Sequence, residues 1–400
     1  MSKTVRAQVT PTILSWARED AGFSVETTAK KAGVRPEQVQ KWEQGESKPT
    51  MNQLRKLAWA YRRPLAVFFL PEPPEGFQPL HDFRRLPGEV ADVYSPALRY
   101  HIRRARTRRK TAIELYQLAQ ESPPSFKLAG SLQEGPASLA QKMRDYVGVP
   151  LAEQLSWEQG YQTFRLWRAA LERAGVLIFE ATDIEPDQMR AFSIVERPLP
   201  AIVLNMKDAL NARVFSLFHE LAHIVLNQEA LCDILEEAER PAEEQRIEVY
   251  CNTVAAEFLV PREALLEQPV VRQIGSTEQW SDDSIDRLAK KFGVSREVIV
   301  RRLLECGRTN RRFYEKKRAD YQREYERRER EKKDKGGFAP PHLMAFNESG
   351  PTFSRLVVEN YENRRITAGD LCEYLGVRLK HLDGIRAEVQ QKNLEAEAHL

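Results

Sequence analysis

The stretch Val214-Phe215-Ser216-Leu217-Phe218-His219-Glu220-Leu221-Ala222-His223-Ile224-Val225-Leu226 places two histidines and a glutamate inside an otherwise apolar run. Such a run predicts a buried helix, on which residues four apart stand one above the other. The imidazoles of His219 and His223 can then reach one metal ion while Glu220 reaches the water on that ion. A tetrahedral catalytic zinc needs a third protein ligand and an open fourth position. Downstream, Glu248-Val249-Tyr250-Cys251-Asn252 opens a helix expected to run through Ala255, Ala256 and Leu259 to the breaker Pro261. Glu248, Asn252, Ala255 and Leu259 share a face, and the small alanines let this helix approach the first closely. Glu248 is the expected third ligand, with Glu243 and Glu244 as the other carboxylates nearby. Asn252, one turn on, is suited to hold a ligand imidazole in place. Tyr250 points off the Glu248 face and carries no expected role.

Outward from this pair, a helix is expected at 161–174, followed by three short β-like runs, Val176–Glu180, Arg190–Val195 and Ala201–Asn205. Asp, Glu and Pro separate these runs, which suggests a small sheet. Helical periodicity then dominates to Cys306. Within it, Leu288-Ala289-Lys290-Lys291-Phe292-Gly293-Val294-Ser295 scans as a helix-turn-helix, read here as packing inside the same unit. The segment Arg311–Lys335 holds 12 Lys+Arg against 7 Asp+Glu, with Tyr314, Tyr321 and Tyr325 on one face, and predicts a long helix lying on something. Apolar periodicity returns over 338–385. The fold class expected is α+β, predominantly helical.

The amino terminus differs in charge from the rest. Residues 1–70 hold 12 Lys+Arg and 6 Asp+Glu, an excess of +6, so the net +3 of the chain leaves −3 for the other 330. Short helices joined at Ala21-Gly22, Gly33 and Gly45 end at the break Leu70-Pro71-Glu72-Pro73-Pro74. Thr28-Ala29-Lys30-Lys31-Ala32-Gly33-Val34, with Val39, Trp42-Glu43-Gln44-Gly45, Pro49-Thr50 and Leu54-Arg55-Lys56-Leu57-Ala58, resembles the XRE/Cro-type helix-turn-helix, a five-helix module. Ala29, Val34, Val39 and Trp42 would form its apolar seam. The resemblance implies a recognition helix from Pro36 to Glu43 whose Arg35, Glu37, Gln38 and Lys41 face the major groove of duplex DNA. Two positions depart from the pattern: Val25 stands where a phosphate-holding glutamine is usual, and Pro36 where a base-reading residue is usual.

Phe215 to His223, followed by Glu248-x-x-Cys251-Asn252 and Ala255-Ala256-Glu257-Phe258-Leu259-Val260-Pro261, resembles the ImmA/IrrE metallopeptidases. Arg190-Ala191-Phe192-Ser193 and Pro200 to Asn205 are similar to that family's edge strands. The resemblance, over roughly residues 160–305, implies a zincin-like domain. It also implies Zn²⁺ on His219, His223 and Glu248, with Glu220 as general base, and DNA-binding repressors as substrates. Together with Asp82-Phe83-Arg84 after the proline break, the chain is similar to the XRE-fused branch.

The expected order is therefore an XRE-type domain over 1–75, a helical connector over 76–155, a zinc metallopeptidase domain over 156–310, a charged helix over 311–337 and a helical unit over 338–400. Arg99, Arg103, Arg104, Arg106, Arg108, Arg109 and Lys110 read as a solvated basic helix face. Cys232, Cys251, Cys306 and Cys372 show no paired spacing, which excludes a disulfide framework or cysteine zinc knot. No apolar run reaches bilayer length and no secretion signal opens the chain, so a cytoplasmic protein without membrane partners is expected. The function expected is a DNA-binding zinc metalloendopeptidase that cuts a repressor or operon-encoded protein. The rival is a non-proteolytic regulator or antitoxin-like protein with a structural zinc. Both leave a homodimer open.

Overall fold

Glycine and proline divide the amino-terminal residues into short helices, and the structure follows that punctuation. The computed structural model describes residues 5–74, 94–158, 160–227, 231–232, 242–276, 279–333 and 339–397. Asp82-Phe83-Arg84 lie outside the described residues. Two compact units emerge, one of Met1–Leu80 and Gly88–Arg106, the other of His81–Pro87 and Thr107–Leu400.

The first unit holds α1 (Pro11–Asp20), α2 (Val25–Ala32), α3 (Pro36–Glu43), α4 (Met51–Ala60), a 3₁₀ turn over Leu65–Phe69, and the start of α5 (Pro96–Leu118). Its fifth element is thus a 3₁₀ turn. Gly33 ends α2 at φ 73°, a left-handed conformation that a Cβ disfavours, and the Val34 N–H donates to the Ala29 carbonyl at 3.0 Å. Ala29, Val39, Trp42, Leu54, Leu57 and Phe68 are buried together, with Val34 half-buried beside them. Arg18 donates to both oxygens of Glu43, at 2.8 and 3.0 Å, and so fastens α1 to α3.

The second unit continues α5 and adds α6 (Pro136–Val147), α7 (Leu151–Gln154), α8 (Tyr161–Arg173), β1 (Leu177–Ala181), β2 (Ala191–Ile194), β3 (Ala201–Asn205) and α9 (Leu210–Val225). Then come β4 (Leu231–Cys232), α10 (Ala242–Leu259), α11 (Arg262–Leu266), α12 (Pro269–Ile274), α13 (Asp282–Phe292), α14 (Arg296–Glu305) and α15 (Arg311–Lys333). The last helices are α16 (Pro341–Ser349), α17 (Pro351–Glu362), α18 (Ala368–Leu375) and α19 (Leu382–Glu397). The sheet order is β1-β3-β2-β4, with β1 and β3 parallel and the other pairs antiparallel. A fourth strand, only two residues long, joins the three the sequence suggests. Every residue of β1, β2 and β3 is buried, without the alternation of a sheet wetted on one side. Helices α8 and α9 pack on the sheet, α16 packs on β1, and Phe353 of α17 meets Phe179 edge-on at 6.0 Å.

Two sequence expectations change here. The basic run on α5 is not a solvated face. In the first unit Arg103 pairs with Asp20 at 3.0 Å and donates to the Tyr61 carbonyl. In the second, buried Arg108 donates to the Glu348 carbonyl (2.7 Å) and Ser349 Oγ (2.8 Å), and buried Arg109 to Glu196 (2.6 Å) and the Leu199 carbonyl (2.9 Å). Guanidinium forks satisfying carbonyls, rather than water, hold this helix. In addition, α10 begins at Ala242, so Glu248 sits in its second turn rather than at its start. The charged helix α15 lies on α14: Arg296 pairs with Glu324 and stacks on Tyr321 at 4.6 Å, and Arg301 donates to the Tyr314 hydroxyl at 2.9 Å.

A buried ion cluster ties the layers of the second unit together. Glu180 of β1 accepts from Arg168 of α8 at 2.7 Å and from Arg213 of α9 at 2.6 Å, and all three are almost wholly buried. Removing one charge from such a cluster strands the others in a poorly solvating interior. Glu180→Gln should therefore lower the stability of this unit by about 3–5 kcal/mol in chemical denaturation. Arg311→Gln, which breaks an exposed pair with Glu315, should leave the midpoint where it is.

Candidate metal centre

Helices α9 and α10 are held from three directions. Arg213, in the first turn of α9, is clamped to Glu180 and lies over the Phe164 ring at 4.1 Å. Midway, Phe218 stacks on Phe258 at 3.9 Å and 20°, with Trp167 edge-on to both at 4.7 and 5.3 Å. At the carboxyl end of α10, Arg144 donates to the Phe258 carbonyl, Gln154 to that of Leu259 (2.9 Å), and Arg302 to that of Val260 (3.0 Å). Two of these caps are cations at a helix carboxyl terminus, where the peptide dipoles favour positive charge.

Between the fixed helices the three expected ligands meet. His219 Nε2 is 3.2 Å from His223 Nε2 and 3.5 Å from Glu248 Oε2, and His223 Nε2 is 3.1 Å from Glu248 Oε1. His219 is 1% exposed, and His223 and Glu248 are 0% exposed. Metal bonds of about 2.0–2.1 Å in a tetrahedron require donor atoms roughly 3.3 Å apart, so the spacing fits a zinc ion. The donor set fits too: two imidazoles and a carboxylate are the ligands of one catalytic zinc class. Among the described residues this is the group of His, Cys, Asp and Glu side chains close enough to hold a metal ion. Glu220, beside His219 on α9, is fully buried. The fallback residues Glu243 and Glu244 are outside the group.

Asn252 is 2% exposed, but neither amide atom has a hydrogen-bond partner among the described residues, so the structure gives it no bond to an imidazole. The electrostatic interaction with His223 falls instead to Cys251, the preceding residue, which is fully buried. Position on a helical wheel could not separate these neighbours, because which of them touches a ring depends on how the two helices cross. Burial pushes the Cys251 thiol up. Burial works against the charged His223 ring, but Cys251 and Glu248 outweigh it and leave that imidazole raised well above its usual value. The Tyr250 hydroxyl donates to the carbonyls of Ser131 (3.2 Å) and Glu134 (2.8 Å), away from the cluster, and burial pushes it to about 12.

Residues 171–304 match the peptidase-family model described as the IrrE N-terminal-like domain, and residues 14–68 match a helix-turn-helix model. In order along the chain, the sequence is thus similar to a helix-turn-helix domain and to an IrrE N-terminal-like domain. No curated protein matches it. The IrrE N-terminal-like match takes in the sheet, α9 and α10, and hence His219, Glu220, His223 and Glu248. In the helix-turn-helix domain, Arg35, Glu37 and Lys41 on and before α3 are exposed. Gln38 is half-buried and its Nε2 donates to Ser47 Oγ at 2.7 Å, which ties up part of its amide. Gln40, not singled out from the sequence, is exposed on the same helix.

Two outcomes are expected. His219→Ala, His223→Ala and Glu248→Ala should each lose about one equivalent of zinc by elemental analysis, whereas Glu220→Gln keeps it. Because an imidazole must lose its proton to bind metal, zinc affinity should weaken as pH falls. Titration in buffers of different ionisation heat should show proton release on binding; no release would mean that His223 is already neutral.

Proposed function

We propose that the chain is a DNA-binding zinc metalloendopeptidase that regulates transcription by cleaving a repressor or operon-encoded partner protein. The observation that carries this reading is the spacing of the His219, His223 and Glu248 donors with Glu220 one residue from the first of them. In this reading those three side chains hold zinc. A bound zinc ion supplies Lewis acidity, lowering the pKa of a water toward ~7 and polarising a peptide carbonyl. Glu220 accepts the proton from the attacking water and returns it to the departing amine. The hydrophobic surroundings of α9 keep bulk water from competing for that proton.

The helix-turn-helix domain supplies place. Arg35, Glu37, Gln38 and Lys41 are assigned to the DNA-facing side, and a peptidase held at an operator meets mainly what is bound nearby. The local concentration from tethering then substitutes for tight substrate affinity. The matched family models and the net positive amino terminus support this arrangement.

The decisive experiment incubates the zinc-loaded chain with products of neighbouring genes and follows cleavage by mass spectrometry. Glu220→Gln should abolish cutting while retaining zinc and DNA binding. A protein that binds zinc yet cuts none of these products, with wild type and Glu220→Gln indistinguishable, would instead be a regulator with a structural metal. Lys41→Ala should weaken operator binding by roughly 1–3 kcal/mol and change sequence preference if it reads a base edge. Unchanged binding would remove Lys41 from the interface.

A further inference from the structure

The second unit contains a cavity of about 680 Å³ that none of His219, Glu220, His223 or Glu248 lines. It lies between α8 and the carboxyl-terminal helices. One face of α8, with Phe164, Trp167 and Leu171, is buried in the core around the metal cluster. The opposite stripe, Gln162, Arg165, Leu166, Ala169 and Arg173, lines the cavity instead, facing Phe346 of α16, Thr352 and Arg355 of α17, and Val389 of α19. A size of this order suits a small organic ligand.

The lining has a definite chemical character. Much of it is apolar: Leu166, Ala169, Pro124, Phe346 and Val389, with the rings of Tyr116 and Tyr161. Four guanidinium groups, those of Arg165, Arg168, Arg173 and Arg355, line it with one carboxylate, Glu172; behind the wall Arg168 is also held by Glu180 at 2.7 Å and Arg355 by Glu359 at 3.3 Å. The lining carboxylate is occupied. Glu172 Oε2 accepts from the Thr352 N–H at 3.1 Å and Thr352 Oγ1 at 2.7 Å, Oε1 takes Arg168 Nε at 3.4 Å, and burial raises its carboxyl above the usual range. Burial also raises the Tyr116 and Tyr161 phenols, which remain hydrogen-bond donors at neutral pH. Cations and donors around an apolar chamber match an anion with an apolar body.

We propose that this cavity is a binding site for a small amphipathic organic carboxylate, its acid group on the guanidinium groups of α8 and α17 and its apolar body against Leu166, Phe346 and Val389. Arg168, in the wall, is bonded to Glu180, and Glu180 to Arg213 of α9. A ligand there is therefore two ion pairs from the helix that carries His219 and His223. Its binding would stabilise the unit by mass action, because the unfolded chain has no such chamber.

The test titrates the full-length protein calorimetrically with decanoate, with decanol and with inorganic phosphate, and repeats each as a thermal-shift series. Decanoate should bind one to one, at least tenfold more tightly than decanol, and raise the melting temperature; phosphate should not displace it. Arg173→Gln combined with Arg355→Gln should cost decanoate tenfold or more and leave decanol unchanged. Ala169→Trp, which fills the chamber, should remove binding of both. Equal affinity for decanoate and decanol, displacement by phosphate alone, absence of saturable binding, or an Ala169→Trp protein that binds normally would each overturn the assignment. Should Ala169→Trp fail to fold, the arginine pair decides, since Arg173 is exposed and the Arg355 side chain 38% exposed, and neither is needed for packing.

Discussion

Two imidazoles and a carboxylate held within 3.5 Å of each other, with essentially no contact with solvent, are the constraint on which the second unit depends. Polar groups of this kind lose hydration on burial and drift toward water or toward other partners unless the backbone leaves them no alternative. The fold answers by immobilising the two helices rather than the side chains. Arg213 and Glu180 fix the start of α9, the Phe218–Phe258 stack fixes the crossing, and three side chains fix the end of α10. Small buried residues on the two helices, Ala222 on α9 and Ala255 and Ala256 on α10, leave room for them to approach within the same core.

What could be read from the sequence follows from how local each signal is. His219, Glu220 and His223 lie within five residues, so helix periodicity alone puts both rings on one side. Glu248 was within reach because it shares a helix face with Asn252, Ala255 and Leu259. The cap network was not legible, since Arg144 and the Phe258 carbonyl are 114 residues apart and no spacing rule connects them. For the same reason Arg108 and Arg109 look like a solvated basic run in sequence, although their partners, Ser349 and Leu199, bury them. The strand Leu231–Cys232 is too short to show a period at all. The near neighbours Cys251 and Asn252 were beyond resolution because the choice between them depends on the angle at which α9 and α10 cross.

The chain also writes one local pattern twice and uses it differently. α2 and α3 turn at Gly33 (φ 73°), α13 and α14 at Gly293 (φ 70°), and in each the residue after glycine donates to a carbonyl five positions back. At the start of α3 and along it, Arg35, Glu37, Gln40 and Lys41 are exposed. On α14 the equivalent side is taken by α15, through Arg296 with Glu324 and Tyr321, and Arg301 with Tyr314. Turn chemistry therefore specifies the angle between two helices, while the rest of the chain decides whether the second one is free to read anything.

The cap on α10 has a practical corollary for dissecting the protein. The peptidase-family match spans residues 171–304, yet two of the three side chains that close the end of α10, Arg144 and Gln154, precede it. A fragment trimmed to the matched boundaries would keep His219, His223 and Glu248 and still leave the Phe258 and Leu259 carbonyls without these two donors at one end of the Glu248 helix. A piece that keeps the end of α10 capped is accordingly longer than the matched stretch, and its amino-terminal limit is set by an arginine on α6 that carries no motif.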